Sequence, residues 1–348
     1  MRQTPHLFCS IITSMRKNHL NPELFTVYHD EVPAFLRPYI QTAAMRRLSD
    51  IDMYCGMIYT NFPLYRTAAP CSRLAHSIGT ALITWHFTES REAALAALFH
   101  DIATPVFSHS VDFVYADYLQ QEYTEKDTKA LLHNDQEILA LLAADRIAVE
   151  QVDDYQLYPI ADNPSPQLAA DRMEYTFGTL RNILHVPLET LKDLYGSLQV
   201  GVNEQGETEL VFFDADKARC FGDYALTCSK IYTSQEDRYS MERLACILRR
   251  ALAEGILAKD DLMRREEDVI AGLKTSPLNE EWAAFRHLGK LRSAVVPDET
   301  GDWLQVNAKK RWIDPLCPDI RLTEKDPAYK AAVQEYLNQS FSEYISSI

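Results

Sequence analysis

Two adjacent ionisable residues, His100 and Asp101, end an apolar, alanine-rich stretch with helical character. Pro105 follows shortly, and helical geometry is disfavoured immediately before a proline. Burial of an ionisable pair without a partner costs several kcal/mol, and a bound cation is a natural compensation. The pair therefore marks a candidate metal site, provided that the chain supplies further ligands.

His76 and Asp171 complete a candidate set of four ligands with His100 and Asp101. Imidazole and carboxylate groups together suit zinc, iron, manganese or a similar divalent ion, and they leave room for bound water. Each residue alone is weak support, because a single histidine in a helix is more often structural than a ligand. In the alternative interpretation, these residues are core groups whose polar atoms are satisfied by hydrogen bonds. That interpretation requires several buried ionisable residues to pair with one another without an ion.

Three helices are predicted to position these ligands. A helical pattern over 73–87 has His76 near its start, and a second pattern over 91–102 ends on the His-Asp pair. A third helix, predicted over 167–184, carries Asp171.

Three more helices are predicted in the same half of the chain. Periodic apolar residues indicate helices over 40–57 and 127–144, the latter with His133 near its beginning. Another helix is expected after the proline break, where either Ser108 or Ser110 would cap it. The first half is therefore predicted to be all-helical.

The second half adds a small amount of β structure to further helices. Two short apolar stretches flank a polar turn over 198–213, a pattern that predicts a hairpin. Helical periodicity returns over 214–273, where the charged residues around Glu266 are interpreted as a solvated face. A last helix is predicted from about Pro327. The predicted fold class is therefore all-α, with a small β hairpin in the C-terminal half.

The overall composition indicates an ordinary soluble globular protein. The 348 residues carry a formal charge of −15 with a pI near 5.1, which argues against a broad nucleic-acid or anionic-membrane surface but allows a local basic pocket. The seven cysteines are scattered without CxxC spacing, so we expect a reducing, cytoplasmic setting. No cleavage site follows the apolar run over 7–12, and no run reaches the roughly 18 apolar residues of a membrane span.

Four motifs occur in order along the first half of the chain. They are Arg73-x-x-His76-Ser-x-Gly79, His100-Asp101-Ile-x-x-Pro-x-Phe-Ser-His109-x-x-Asp112, His133-Asn-Asp135 and Ala170-Asp171-Arg-Met-Glu-Tyr175. Together they resemble the HD superfamily of metal-dependent phosphohydrolases, and within it the deoxynucleoside triphosphate triphosphohydrolase (dGTPase-like) branch, over about residues 30–185. The resemblance implies an HD-type helical bundle with an N-terminal extension over 1–185 and a helical C-terminal region over 186–348.

The resemblance also implies a role for each matching residue. It assigns a divalent ion, which would be manganese, iron, zinc, nickel or magnesium, to four ligands: His76, His100, Asp101 and Asp171. It assigns phosphate binding or proton relay to a second group: His109, Asp112 and His133. It assigns substrate contacts to two arginines, whose guanidinium forks suit phosphate oxygens, and to a tyrosine that would contact a sugar: Arg73, Arg172 and Tyr175. The expected partner is a small-molecule phosphate or nucleotide, and the resemblance favours a homo-oligomer.

One position inside the second motif departs from the triphosphohydrolase branch. Thr104 stands where a further histidine is common, and a threonine hydroxyl cannot act as a general acid near neutral pH. We therefore expect a metal-dependent phosphohydrolase acting on a nucleotide or related phosphate ester, with a dNTP triphosphohydrolase-like enzyme of altered active site as the first assignment. A phosphomonoesterase or phosphodiesterase would use the same ion. A non-catalytic or regulatory protein that binds a metal or nucleotide is the other interpretation.

Overall fold

Helices dominate the structure, as the periodicity predicts. The computed structural model describes residues 22–119, 127–318 and 320–348, and the apolar run over 7–12 lies outside them. Within the described residues, helices are accompanied by two small antiparallel sheets. The prediction of an all-α fold with a small hairpin is confirmed.

The first half contains the helices that hold the candidate ligands. Its α-helices are α1 (Pro22–Tyr28), α2 (Leu36–Ile40), α3 (Ala43–Arg47), α4 (Pro63–Arg66), α5 (Arg73–Thr88), α6 (Arg91–Phe99), α7 (Ser110–Val114), α8 (Thr128–Asn134), α9 (Gln136–Asp145) and α10 (Ala170–Asn182). Short 3-10 turns occupy Leu48–Asp50, Met57–Tyr59, Val149–Gln151 and Tyr155–Leu157. Serine caps define where α5 and α6 begin, because the hydroxyls of Ser72 and Ser90 accept hydrogen bonds from backbone N–H groups of the first turn.

The predicted helix over 40–57 is wrong in its extent. Helix α3 and one 3-10 turn end at Asp50, and Ile51 is extended with φ −108° and ψ 120°. Cys55 and Gly56 then have φ values of 55° and 85°. Left-handed backbone cannot continue a right-handed helix, so the chain turns here towards the start of α5.

Two further boundaries in the first half differ from the prediction. The helix over 127–144 is divided into α8 and α9, because Asp135 leaves helical geometry and its carboxylate caps α9 by accepting from the N–H of Ile138 at 3.0 Å. The expected serine cap of α7 is also wrong. The N-cap residue is His109, which makes no capping side-chain hydrogen bond, and Ser108 has a φ of 49°.

The second half forms seven helices and both sheets within the described residues. Its elements are α11 (Leu188–Tyr195), β1 (Leu198–Val202), β2 (Thr208–Phe212), α12 (Ala215–Tyr232), α13 (Gln235–Ala253), α14 (Glu266–Lys274), α15 (Asn279–Arg286), β3 (Leu291–Ala294), α16 (Leu322–Lys325), α17 (Pro327–Asn338) and β4 (Tyr344–Ser347), with a 3-10 turn at Lys259–Met263. The hairpin pairs Leu198 with Phe212, as the sequence predicts. The second sheet pairs β3 with β4, whose separation along the chain gives no hairpin signal.

The predicted solvated face around Glu266 is wrong for Glu266 itself, which is 2% exposed. Its Oε1 accepts hydrogen bonds from the backbone N–H groups of Asp52 and Phe107, each at 2.9 Å. Its Oε2 accepts from the hydroxyl of Tyr59 at 2.6 Å. Glu266 therefore satisfies backbone donors of the first half and ties α14 to the loops beside the candidate ligands.

Packing between helices places the candidate ligands on neighbouring elements. Helix α5 packs along α6 and against α10, and α13 packs against α7. One hydrophobic core includes buried side chains from both halves of the chain, and the division into 1–185 and 186–348 stays a prediction. None of the described helices combines the length and the apolar character that a membrane crossing requires.

Candidate metal centre

The ends of three helices bring the four predicted ligands together. His76 lies in the first turn of α5, His100 and Asp101 follow α6, and Asp171 lies in the first turn of α10. The alanines of α6 are buried, and their small side chains allow a close approach of neighbouring helices. The motifs that are separated in sequence therefore meet at one place.

Four side-chain atoms face a common centre. Nε2 of His76 lies 3.2 Å from Nε2 of His100 and 3.0 Å from Oδ1 of Asp171. Oδ2 of Asp101 lies 3.6 Å from Nε2 of His100 and 3.9 Å from Nε2 of His76. Atoms that share one divalent ion at about 2.1 Å lie ~3–4 Å from one another. The imidazoles of His76 and His100 and the carboxylate of Asp101 lie close enough together to share a divalent cation, and Asp171 adjoins them through its contact with His76.

Both imidazoles are oriented by hydrogen bonds at their outer nitrogens. Nδ1 of His76 lies 2.5 Å from Oε2 of Glu174, and Nδ1 of His100 lies 2.7 Å from the carbonyl oxygen of Ala97. These contacts direct Nε2 of each ring towards the cluster, which is how second-layer acceptors prepare histidine ligands. Gly79 makes room for the first contact, because a Cβ there would lie 2.6 Å from Cγ of Glu174.

The carboxylate of Asp101 is held at both oxygens. Oδ2 accepts a hydrogen bond from Nη1 of Arg73 at 2.9 Å, and Oδ1 accepts from the hydroxyl of Thr104 at 2.8 Å. Burial alone would raise the pKa of Asp101, but the positive charges of Arg73, His100 and His76 together outweigh burial and hold the pKa well below its usual range. Asp101 is therefore ionised at neutral pH, as a metal ligand must be.

The neighbouring carboxylates stabilise positive charge at His76. Burial alone would lower the pKa of His76, but hydrogen bonds with Asp171 and Glu174 raise it to about 10. Burial would raise the pKa of Asp171, whereas the hydrogen bond with His76 and the positive charges of the neighbouring side chains together bring it to about 2. The cluster therefore favours a positive charge at its centre, and a divalent cation would take the place of the proton shared there.

The two histidines predicted to relay protons lie in different environments. His109 lines the same cavity as the cluster, and its Nδ1 lies 2.8 Å from Oδ2 of the buried Asp112. His133 pairs with Asp153 at 2.7 Å, its side chain is 39% exposed, and it is not part of the described cavity wall. The structure therefore brings His109 and Asp112 to the site and places His133 at the surface.

The two arginines predicted to bind phosphate are engaged with protein groups. Arg73 lines the cavity, where its Nε donates to Oγ of Ser108 at 2.9 Å and its Nη1 donates to Asp101. Arg172 turns to the loop before α10, where its Nε donates to the carbonyl oxygen of Gln167 at 2.6 Å. Arg172 therefore lies outside the described wall of the cavity.

Beyond the cluster the cavity continues between aromatic and acidic side chains. Tyr175 lines it, as the sequence predicts, with its ring edge-on to that of Tyr232 at 6.0 Å between centroids. Asp237 of α13 faces the same space, and its Oδ1 accepts a hydrogen bond from the hydroxyl of Tyr65 at 3.0 Å. This part of the wall can pack against a planar group and accept hydrogen bonds from it.

Sequence reasoning assigned no role to several residues of the cavity. Glu174 follows Asp171 by three positions, so both side chains lie on one face of α10. This spacing could have identified Glu174 as a cavity residue from the sequence. Tyr155 stacks on His100 at 5.0 Å between ring centroids, and Arg311 lines the cavity from the C-terminal half. Both lie outside α-helices and strands, where periodicity does not indicate the direction of a side chain.

The chain is similar over most of its length to two known proteins. No family model matches it. It is 24% identical over 296 residues to the uncharacterized protein YdhJ of Bacillus subtilis, covering 82% of this chain and 84% of that protein. It is also 24% identical over 319 residues to the metal-dependent phosphohydrolase cns2 of Cordyceps militaris, covering 88% of this chain and 87% of that protein.

Solved structures share the fold. A phosphohydrolase from Bacteroides thetaiotaomicron superposes with a TM-score of 0.62 at 15% identity, covering 91% of this chain and 96% of that one. A hypothetical protein from Aquifex aeolicus gives a TM-score of 0.61 at 17% identity, covering 90% of this chain and 92% of that one. The chain is therefore similar to a metal-dependent phosphohydrolase, and its His-His-Asp cluster is compatible with a divalent metal. The HD superfamily and its dGTPase-like branch stay predictions.

Proposed function

We propose that the chain hydrolyses a phosphate ester of a nucleotide or a related small molecule, with a divalent cation held by four ligands: His76, His100, Asp101 and Asp171. The observation that carries this proposal is the convergence of their side-chain atoms, with neighbouring atoms 3.0–3.9 Å apart, at the wall of a cavity. The similarity to the phosphohydrolase cns2 supports it.

The residues around the cluster supply the remaining parts of a hydrolytic site. When bound, the cation supplies Lewis-acid chemistry, which stabilises charge on a phosphoryl oxygen and makes a water more acidic. The Nδ1–H of His109 donates to Asp112, which leaves Nε2 as the proton-accepting nitrogen of the ring. Burial lowers the pKa of His109, so its imidazole is neutral near pH 7 and can exchange a proton with water or a leaving group.

The wall beyond the cluster favours a substrate with an aromatic or sugar-like part. Tyr175 and Tyr232 present aromatic surface, and a nucleobase or ribose packs well against such rings. Asp237 would accept a hydrogen bond from an amino or hydroxyl group. These contacts support a nucleotide rather than a small inorganic phosphate compound.

Within this class, a dNTP triphosphohydrolase is the assignment that the motifs favour, and a phosphomonoesterase is the second candidate. Two observations favour the second. Thr104 is bound to the ligand Asp101, and Arg172 is bound to Gln167 instead of lining the cavity. Because Arg172 does not line the cavity, the cationic contact that the motifs assign to a triphosphate at this position is missing.

The test combines metal content with a substrate panel. The purified protein is expected to contain near-stoichiometric divalent metal and, with added manganese, to hydrolyse one class among dNTPs, NTPs, nucleoside monophosphates and cyclic dinucleotides, with triphosphate, phosphate or a linear dinucleotide identified as the product. Asp171→Ala is expected to lose both metal and turnover, whereas Asp216→Ala, which removes an exposed carboxylate on α12, keeps both. Binding of a nucleotide by the metal-loaded protein without turnover would contradict an enzyme and support the regulatory alternative.

A further inference from the structure

A segment of the C-terminal half, residues 307–312, crosses to the cavity of the metal site; we call it the strap. It is fixed at both ends. The carbonyl oxygen of Val306 accepts a hydrogen bond from Nη1 of the buried Arg238 at 2.5 Å. The carbonyl oxygen of Ile313 accepts from the hydroxyl of Tyr329 at 2.6 Å. Anchors on either side hold the backbone of the strap in a defined course.

Three consecutive cations of the strap point in two directions. Lys309 and Arg311 line the cavity that contains the His-Asp cluster. Lys310, between them, points away: its Nζ donates to the carbonyl oxygen of Leu337 at 2.6 Å and lies 5.1 Å from the ring centroid of Phe341. The strap therefore presents two positive charges to the cavity and uses the third to hold the end of α17.

The charge of Arg311 acts on several walls of the cavity. Burial raises the pKa values of Tyr175 and Tyr232, and the positive charge of Arg311 opposes both rises. Burial lowers the pKa of His109, and the charge of Arg311 adds to that lowering. Arg311 lines the same cavity as Tyr175 of α10, Tyr232 of α12 and His109 of the loop before α7.

The cavity needs cations if it accepts a phosphate ester. Its wall includes the carboxylates of Asp101, Asp171 and Glu174. Among the described residues of that wall, the lysine and arginine side chains belong to Arg73 and to the two strap residues. An anion that enters between carboxylates requires compensating positive charge, and a guanidinium fork suits phosphate oxygens.

We propose that Lys309 and Arg311 bind the phosphate group of the ligand, so that the C-terminal half contributes the phosphate-binding cations of a metal site built by the first half. This inference rests on the proposed function, because it assigns the anion of the same site. It replaces the role that sequence resemblance gave to Arg172. A purely structural role, in which the two cations only neutralise neighbouring carboxylates, would change stability without changing phosphate affinity.

The experiment measures binding of inorganic phosphate to the metal-loaded protein by titration calorimetry, in wild type and in three glutamine variants. Lys309→Gln and Arg311→Gln are each expected to weaken phosphate binding by about 10- to 100-fold. Lys310→Gln removes the same charge from the same strap, but from a side chain outside the cavity, and is expected to stay within about twofold of wild type. Metal content and thermal unfolding are measured for every variant, and Arg311→Lys, which keeps the charge without the fork, is expected to give an intermediate affinity.

The outcomes separate this inference from the function on which it rests. Equal phosphate affinity in wild type, Lys309→Gln and Arg311→Gln, with metal retained, would overturn the strap assignment while leaving the hydrolase proposal in place. The strap assignment would also be overturned if Lys310→Gln weakened phosphate binding as much as the other two variants. The loss of affinity would then reflect the net charge of the protein and not contacts in the cavity. A metal-loaded wild type that neither binds phosphate nor hydrolyses any ester of the panel would overturn both.

Discussion

The hydroxyl of Thr104 donates a hydrogen bond to Oδ1 of Asp101 across 2.8 Å. Thr104 is 1% exposed, and its carbonyl oxygen accepts a hydrogen bond from Nη2 of Arg47 at 2.8 Å. The residue that stands in place of a frequent family histidine therefore supports the carboxylate of a candidate metal ligand. Because Oδ2 of Asp101 is held by Arg73, the threonine and the arginine together fix both oxygens of this carboxylate.

Replacement of the hydroxyl at this position should weaken metal binding. Thr104→Val keeps the shape of the side chain and removes the donor to Asp101, so the carboxylate loses one of its two supports. Loss of such a supporting contact costs about 10- to 100-fold in metal affinity. The measurement is a competition titration against a chelator. Thr104→Ser, which keeps the hydroxyl, is the control, and equal affinity in the valine and serine variants would contradict this role.

The two histidine-carboxylate pairs should differ in their effect on turnover. His109→Gln is expected to lower kcat by about 10²- to 10⁴-fold, because His109 lines the cavity and can exchange a proton there. His133→Gln removes a histidine with a similar carboxylate contact at the surface and is expected to leave kcat unchanged. Both variants are assayed on the best substrate of the panel at saturating metal. A comparable loss in both would restore the proton-relay role that the motifs imply for His133.

The positions of the candidate ligands at helix ends could be predicted from the sequence. Each of these ligands stands at the start or the end of a periodic apolar pattern. His76 lies near the start of one periodic pattern, His100 at the end of another, and Asp171 in the first turn of a third. Once those three helices pack side by side, their polar ends converge. The ligand set could therefore be proposed without knowledge of the loops.

Side-chain directions and contacts between distant segments were not predictable in this way. Arg172 is adjacent to Asp171, yet its guanidinium group turns to the loop before α10. This direction depends on the carbonyl oxygens of that loop, whose positions the sequence does not indicate. Glu266 lies in an amphipathic pattern, but its buried partners come from residues far away in sequence. The strap has no periodicity, so nothing in its sequence shows that alternate cations face the cavity. The helix expected over 40–57 failed for local reasons, because Ile51 is extended and the backbone at Cys55 and Gly56 is left-handed.

Removal of the Glu266 carboxylate should destabilise the fold by exposing unsatisfied donors. Glu266→Ala leaves the backbone N–H groups of Asp52 and Phe107 without their acceptor, and each buried unsatisfied donor costs about 1–3 kcal/mol. Urea unfolding followed by circular dichroism measures the change in the free energy of unfolding. Glu266→Gln keeps an amide oxygen for these donors and is expected to lose less. Equal stability of wild type and the alanine variant would show that water or a rearranged loop replaces the carboxylate.

The buried carboxyl group of Asp237 should make the protein less stable as the pH rises. Burial raises the pKa of Asp237 from 3.8 to about 7, partly offset by the hydroxyl of Tyr65 and the charge of Arg311. Between these two pKa values the folded protein holds a proton that the unfolded chain has released, so the free energy of unfolding contributed by this group falls with increasing pH. Above the folded-state pKa, the stability that the protonated carboxyl group contributes is lost completely. The total decrease in the free energy of unfolding is on the order of 4 kcal/mol.

The variant Asp237→Asn cannot titrate and should abolish this part of the pH dependence. Urea unfolding at several pH values between about 4 and 8 would show the stability of the variant, relative to wild type, increasing with pH. Tyr65→Phe is an informative companion, because loss of the hydrogen bond to the carboxylate raises the pKa of Asp237 further and extends the fall in stability to higher pH. A parallel pH profile for wild type and Asp237→Asn would mean that the carboxyl group is ionised in the folded protein, with Arg311 and Tyr65 sufficient to hold its charge.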